Sequence, residues 1–432
     1  MNEYRFILHD YHAISNANIS IDGITVIAGC NGCGKSTISK WLYAFVNYSN
    51  DFNDLVDERL LRTLNEEIRK MSRVIQNIFM EDHETIRQLK IIPSSIFKQE
   101  DFGYDDLVEI FRSKLDVFCS AVSRMTKDRD DVVTRKWLQK ALGTVDNLFG
   151  DFVASYFDFA LDKANKAINE ALKVKRECSY DDLLYFIRRG LDLYGDAPRE
   201  IGFEENGMEL IANARFRAPL GLRNAVYIDT PMALSKHSSA DNAIWDRLMN
   251  VLTYPLQDMP EGAVSLIMRL RRIMGGSVVV NRDELNRDAE IRYIRKEDSL
   301  NIPIDEAATG LKSFAYMMRL IENGYLDENS LLLIDEPEAH LHPQWIVEFA
   351  RILVLLNKEL GTKILIASHN PDMIAALQSI SKAEGMEDMT KFYQACRDKS
   401  GLRYSYEYLG NNIEKIFGSF NVALERIKYY GG

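Results

Sequence analysis

The sequence predicts an α/β fold: a mixed or parallel sheet flanked by helices, carrying a large helical insertion. Three observations predict it. A β-branched run, Ile24–Ala28, leads into a glycine-rich loop and then into an apolar, helix-compatible stretch. Two later apolar runs, Leu331–Ile334 and Ile364–Ala367, each end in polar residues able to do chemistry. Between the first run and the other two, residues 50–200 carry mostly helical periodicity. Strands alternating with helices favour a sheet with parallel neighbours.

The first strand ends in Gly29-Cys30-Asn31-Gly32-Cys33-Gly34-Lys35-Ser36-Thr37, which fits the phosphate-binding P-loop pattern. Its glycines let the backbone turn tightly, so that successive N–H groups point into one concavity. The helix opening near Lys35 adds its positive N-terminal end. Lys35 is placed to reach the β/γ-phosphates and the Ser36 hydroxyl to ligate Mg²⁺. Asn31, Gly32, Cys33, Gly34, Lys35, Ser36 and Thr37 are the expected nucleotide-binding set. A chance match in a chain of this length has a probability of roughly a per cent or two. Ile38, Trp41, Leu42 and Phe45 supply the apolar face of the helix that follows.

Bulk properties point to a cytoplasmic enzyme. The chain has 432 residues, 46% of them hydrophobic and 27% charged, enough for two or three domains. A net charge of −11 argues against wholesale coating of nucleic acid, so any such contact needs a local basic patch. Five cysteines do not make a secreted disulfide framework. The start of the chain lacks a signal peptide's basic and apolar segments, and no apolar run reaches membrane-spanning length, so no membrane role is expected.

Three further segments add to the loop. In Leu331-Leu332-Leu333-Ile334-Asp335-Glu336-Pro337 a buried strand would deliver Asp335 to the Mg²⁺ shell, with Glu336 suited to act as general base on a water. The bland reading is a buried strand and an acidic turn. In Lys363–Pro371 a second strand ends in Ser368-His369, 34 residues after Asp335, where His369 could hydrogen-bond a γ-phosphate. The bland reading is a loop histidine. In Ala307–Ser313, Thr309 is an expected N-cap and Gly310 would let a phosphate approach a helix N-terminus; Leu311, Phe314, Met317, Met318 and Ile321 line that helix. Here the bland reading is a plain helix start.

In this order the motifs resemble those of the ABC-type ATPases, and within them the RecF/SMC/OLD-like branch. The most specific match is Asp335-Glu336-Pro337-Glu338-Ala339-His340-Leu341-His342-Pro343. The resemblance implies an ABC-type P-loop NTPase head with ATP and Mg²⁺ as cofactors. It makes Thr309-Gly310 the signature, Glu338–Pro343 the D-loop and His369 the switch histidine. Glu336 and His369 become the catalytic pair, and Ser36 and Asp335 the metal-holding pair. It implies a homodimer or higher homo-oligomer, with each nucleotide between one chain's P-loop and the other's signature. Leu311 and Lys312 depart from the family signature, where a second glycine and a glutamine stand, and Lys312 could itself make the trans contact. Gln99 is a candidate for the glutamine loop, and Tyr11 or His12 for stacking on adenine. Relatives of this kind act in DNA repair or in anti-phage defence, as in Septu-, Gabija- and PARIS-type ATPases, and several work with a nuclease.

Three functions therefore compete: an ATPase gating a separately encoded effector, a DNA-clamping SMC/RecF-like head, and a transporter's nucleotide-binding subunit. The roughly 60 residues after His369 are expected to hold two short strands and a helix (Ile413, Ile416, Phe417, Phe420, Leu424, Ile427), with no nuclease constellation.

The expected organisation is residues 1–49 for the first ATPase segment, 50–200 for the helical insertion and 201–432 for the remainder. Leu61, Leu64, Ile68, Met71, Ile75 and Ile78 form a heptad-like seam. Leu138, Ala141, Val145, Leu148, Phe152, Tyr156 and Phe159 form a second amphipathic pattern, and Asp128–Asp131 reads as a solvated loop. Met208–Phe216 and Ala225–Ile228 read as strands returning to the sheet, followed by a helical excursion near 240–274. Between Met268 and Lys296, eight basic and four acidic residues give +4, a candidate nucleic-acid strip set against a solvated mixed surface. Cys30 and Cys33 form a C-x-x-C, and His340 and His342 lie near two carboxylates. The P-loop and the D-loop explain these better than a redox or metal site does.

Overall fold

A computed structural model describes residues 2–78, 83–99, 101–126, 140, 142, 152–191, 197–198, 200–229, 243–282, 289–418 and 429. Strands β1 (Tyr4–Tyr11) and β2 (Ile14–Ile21) largely alternate buried with more exposed positions, the period of a strand with one covered face. Strand β3 (Ile24–Ala28) is buried throughout, as a central strand requires, and leads through the P-loop to α1 (Lys35–Asn50). Helices α2 (Phe52–Ile78), α3 (His83–Gln88), α4 (Tyr104–Thr126), α5 (Phe152–Glu177) and α6 (Tyr180–Leu191) follow. Then come β4 (Glu200–Glu205), β5 (Met208–Glu209), β6 (Ile211–Ala212), β7 (Arg215–Phe216) and β8 (Asn224–Ile228). Helices α7 (Ala243–Thr253) and α8 (Val264–Met274) precede β9 (Ser277–Arg282), β10 (Ala289–Arg295) and β11 (Leu300–Pro303). The chain continues with α9 (Thr309–Glu322), β12 (Ser330–Asp335), α10 (Pro343–Leu360), β13 (Lys363–Ser368), α11 (Pro371–Ala383), β14 (Thr390–Arg397) and β15 (Tyr404–Gly410).

Two compact units result: residues 1–50 with 180–432, and residues 51–179. The first is built on a ten-stranded mixed sheet in the order β5-β4-β1-β2-β15-β14-β3-β13-β12-β8. Strands β14, β3, β13, β12 and β8 are mutually parallel, so their C-terminal ends share one edge. Ligands of open parallel sheets gather at that edge. Helix α9 is almost wholly buried beside the sheet, with Phe314, Met317, Met318 and Ile321 in the core.

The insertion is shorter than the 50–200 expected from sequence. Helix α6 belongs to the sheet-bearing unit, because Gly190 lets it close on α1: a Cβ there would lie 1.5 Å from the Tyr48 hydroxyl. Strand β4, absent from the sequence reading, pairs with β1. Of Met208–Phe216, only β5 joins the main sheet; β6 and β7 form a small hairpin of their own. The 268–296 stretch runs from α8 into β9 and β10, which form a separate three-stranded sheet with β11.

The unit of residues 51–179 is helical. Leu61, Leu64, Ile68, Met71 and Ile75 of α2 are buried. Asp57 accepts hydrogen bonds from Tyr104 and Lys175, both at 2.6 Å, so one carboxylate ties α2 to α4 and α5. Of the second amphipathic pattern, Leu138, Ala141, Val145 and Leu148 lie outside the described residues, as do Asp128–Asp131. Tyr156 is buried, but Phe159, expected on the apolar face, is 47% exposed. Near the C-terminus, residues 414–418 are helical and Ile413 and Ile416 are buried, while Phe420, Leu424 and Ile427 lie outside the described residues.

Candidate functional site

The P-loop leaves β3 at the C-terminal edge of the sheet. Gly32 and Gly34 have φ of +79° and +97°, conformations that favour glycine. At Gly34 a Cβ would also lie 2.6 Å from Ile14. The loop is held from beneath, where the Tyr406 hydroxyl donates to the Cys33 carbonyl at 3.0 Å. Lys35 folds over the loop and donates to the carbonyls of Gly29 (2.9 Å) and Cys30 (3.0 Å). These are bonds that a phosphate oxygen could take over.

Asp335 ends β12 and is buried against α1. Its Oδ1 accepts from the Ser39 hydroxyl at 2.7 Å and its Oδ2 from the Tyr227 hydroxyl at 2.9 Å, while the Ser36 side chain also hydrogen-bonds it. Burial pushes the Asp335 carboxyl above the usual carboxylate range; the bonds from Ser36, Ser39 and Tyr227 oppose the shift, and the charge of Asp229 adds to it. Ser36, Asp335 and Asp229 together offer only hard oxygen donors. That donor set fits Mg²⁺.

Tyr227 and Asp229 were missed in the sequence, though the signal was present. Val226-Tyr227-Ile228-Asp229 repeats the pattern of Leu332-Leu333-Ile334-Asp335, and the parallel register sets Ile228 opposite Ile334. Two aspartates therefore end neighbouring strands at the same level. Asp229 also lies 3.9 Å from the Lys40 ammonium.

One residue on, Glu336 adopts φ +49°, and its N–H donates to the Ala367 carbonyl at 2.8 Å. The left-handed turn lifts its side chain off the strand to meet His369 beyond β13. Glu336 Oε1 lies 3.1 Å from His369 Nδ1. The buried Glu338 stands behind this pair. Its Oε1 accepts from the Ser368 hydroxyl (2.8 Å) and from the His369 N–H (3.3 Å), and lies 3.7 Å from His369 Nδ1. Burial raises the Glu338 carboxyl, against those hydrogen bonds and the nearby His369. The expected D-loop is thus bonded directly to the strand end that carries His369.

The structure brings together Lys35, Ser36, Asp335, Glu336 and His369. Among the described residues it draws no hydrogen bond from Thr309 or Gly310 to the P-loop. Thr309 is not the N-cap: Ala308 is, because the N–H groups of Leu311 and Lys312 donate to its carbonyl, and no side chain caps the helix. Gly310 is buried, and a Cβ there would lie 2.8 Å from the Trp345 ring, so its missing side chain serves helix packing. Lys312 donates to the Asp305 carbonyl at 2.8 Å.

Tyr11 is buried edge-on against Trp41, whereas His12, stacked on Tyr11 at 4.0 Å, is exposed. Gln99 belongs to the other unit, residues 51–179. His342 caps α10 by accepting from the Gln344 N–H. Among the described residues no group of three or more His, Cys, Asp or Glu side chains is arranged to hold a metal ion. Among them, too, no helix is long and apolar enough to cross a membrane.

The family described as "AAA domain, putative AbiEii toxin, Type IV TA system" matches residues 157–375, just over half of the chain, and the "AAA ATPase domain" family matches residues 4–182. The energy-coupling factor transporter ATP-binding protein EcfA3 of Clostridium perfringens is 36% identical over 72 residues, 16% of this chain and 25% of that protein. The Old nuclease of Escherichia phage P2 is 29% identical over 96 residues, 22% of this chain and 14% of that protein. The match thus spans a quarter or less of these curated relatives. Among solved structures, the SMC head domain from Thermotoga maritima aligns over 95% of this chain and 99% of its own, with 12% identity and a TM-score of 0.36. With its P-loop and strand-end carboxylates on a mixed α/β sheet, the chain belongs to the AAA domain family whose model matches residues 157–375, and it is similar to ABC-type and OLD-like P-loop ATPases.

Proposed function

We propose that this chain binds ATP with Mg²⁺ on its P-loop, hydrolyses it within a homodimer, and uses the cycle to gate a separately encoded effector in DNA repair or anti-phage defence. The observation that carries the chemistry is the convergence of three parallel strand ends. Strand β3 presents Lys35 and Ser36, β12 presents Asp335 and Glu336, and β13 presents His369.

Lys35 exchanges its loop carbonyls for β/γ-phosphate oxygens, a gain in charge complementarity. Ser36 and Asp335 would hold Mg²⁺, with Asp229 beside them; bound there, the ion supplies positive charge to the phosphates. Glu336 takes a proton from the attacking water as general base. His369, whose Nδ1 lies 3.1 Å from Glu336 Oε1 and whose backbone N–H donates to Glu338, orients that water and the γ-phosphate.

The test is steady-state ATP hydrolysis by the purified chain, with and without Mg²⁺, together with its mass by light scattering in ATP. Hydrolysis that needs Mg²⁺ and a dimer that forms on ATP are expected. A chain that binds no nucleotide would overturn the reading.

A further inference from the structure

The basic stretch that stands out in the sequence does not form one face. Arg271 pairs with Glu322 (3.3 Å), Arg292 with Glu290 (2.7 Å) and Arg295 with Asp298 (2.6 Å). Arg282 donates to the Thr253 carbonyl. Arg287 lies outside the described residues. Two arginines of the stretch behave differently. Arg269 and Arg272, on α8, line an open groove of about 710 Å³ whose other wall is α10, and α10 contributes a third arginine, Arg351. Among the described residues none of the three lies within 4.0 Å of a carboxylate. Glu384, which the charges of Arg351 and Arg269 also reach, is already bonded by Lys358 at 2.8 Å.

The rest of the groove is not that of a phosphate channel. Ile273, Trp345 and Val347 line it with apolar surface, and Glu348 places a negative charge among the arginines. Met268 (59% exposed) continues the apolar surface along α8. A polyphosphate backbone gains nothing from the apolar surface of Ile273, Trp345, Val347 and Met268. Arginine, tryptophan and methionine beside small apolar patches are the composition of protein interfaces. Guanidinium groups pair with carboxylates bidentately. From Gln344 to Arg351 the groove runs along eight residues of helix, about 10 Å from first to last, which matches two helical turns of an occupant.

We propose that this groove is the seat of a partner protein, which enters it as an acidic amphipathic helix of about two turns. Carboxylates of the partner meet Arg269, Arg272 and Arg351, and its apolar side chains rest on Ile273 and Val347. The position is informative, because Trp345, in the groove wall, is also the ring against which Gly310 packs. Occupancy of the groove thus bears on the start of α9 and on the D-loop helix together. Naming the occupant as the effector rests on the gating function proposed above.

The experiment selects a displayed random-peptide library on the full chain and measures the enriched peptides by fluorescence anisotropy on wild type, on R269E/R272E/R351E and on V347D. Enriched peptides should carry Asp or Glu with Leu, Phe or Trp at helical spacing. They should bind the charge-reversal variant at least about tenfold more weakly, lose affinity with added salt, and weaken on V347D. Circular dichroism and ATP turnover of both variants should match wild type, since none of these residues belongs to the nucleotide site. Peptides that bind wild type and variants alike would overturn the proposal. So would a duplex DNA oligonucleotide whose binding alone is lost on charge reversal, or an ATP-dependent dimer that the charge reversal dissociates, which would make a second copy the occupant. If turnover is intact and peptides ignore the groove, only the groove assignment falls. If wild type hydrolyses no ATP yet peptides follow the groove, the gating reading falls and the docking surface stands.

Discussion

At the scale of single residues, the site works against stability. Asp335 is a buried carboxylate whose proton affinity burial has raised, so its charged form is held at a cost that is full above the raised pKa, fades as the pH falls from there towards the ordinary carboxylate value, and is gone below that value. Asp335→Asn should therefore melt higher than wild type at neutral pH, by about 2 °C or more, with the gap closing as the pH falls. The hydroxyls of Ser39 and Tyr227 can rotate to satisfy an amide. The same variant should lose Mg²⁺-dependent nucleotide binding. Melting curves across pH, paired with titration of a fluorescent ATP analogue, separate the two effects. A variant that melts lower than wild type at neutral pH would show that Asp335 serves the fold rather than the site.

Lys35 and Glu336 divide binding from chemistry. Lys35→Ala should abolish nucleotide binding, since it removes the charge facing the β/γ-phosphates. Glu336→Gln should still bind ATP but turn it over about 10²–10⁴-fold more slowly, the usual worth of a general base. Near-normal turnover in a coupled assay would place the base elsewhere, His369 being the neighbour 3.1 Å away.

At the scale of elements, the start of α9 is decided by packing. Because Gly310 is buried under Trp345, even a methyl group there overpacks the contact. Gly310→Ala should cost about 1–3 kcal/mol, and Trp345→Leu in the same chain should return part of it. Chemical denaturation of the single and double variants measures this. An additive loss would mean that the two residues do not share the contact. A glutamate at Gly310 would thus damage the fold before it tested any phosphate contact, so Lys312 is the better probe of the signature.

For the whole molecule, one chain carries one P-loop and one candidate signature, and the described residues draw no hydrogen bond between them. Each is then expected to serve a second copy. Lys35→Ala and Lys312→Glu chains should each be inactive alone and regain partial ATP turnover when mixed, because one composite site is intact in the mixed dimer. A Lys312→Glu chain that is fully active by itself would sink the trans arrangement.

Much of the candidate site's layout at the strand ends was legible in the sequence because local physics writes it there. A glycine loop between strand and helix, and apolar strands ending in Asp335-Glu336 and Ser368-His369, are patterns of adjacent residues, and each is fixed by backbone conformation and burial. The boundary of the insertion was not, because helical periodicity runs through residue 179 unchanged; only Gly190 closing on Tyr48 assigns α6 to the sheet-bearing unit. Nor was the pairing of Asp229 with Asp335, which depends on which strand lies beside β12. The basic stretch shows the difference most plainly. The sequence by itself determined that eight positive residues lie close together along the chain. Tertiary structure decided that three of them are spent on ion pairs, and that Arg269 and Arg272 instead face Arg351, some eighty residues away. Charge acts through space and is neutralised by whatever the fold sets beside it, so its meaning cannot be read from its spacing in the chain.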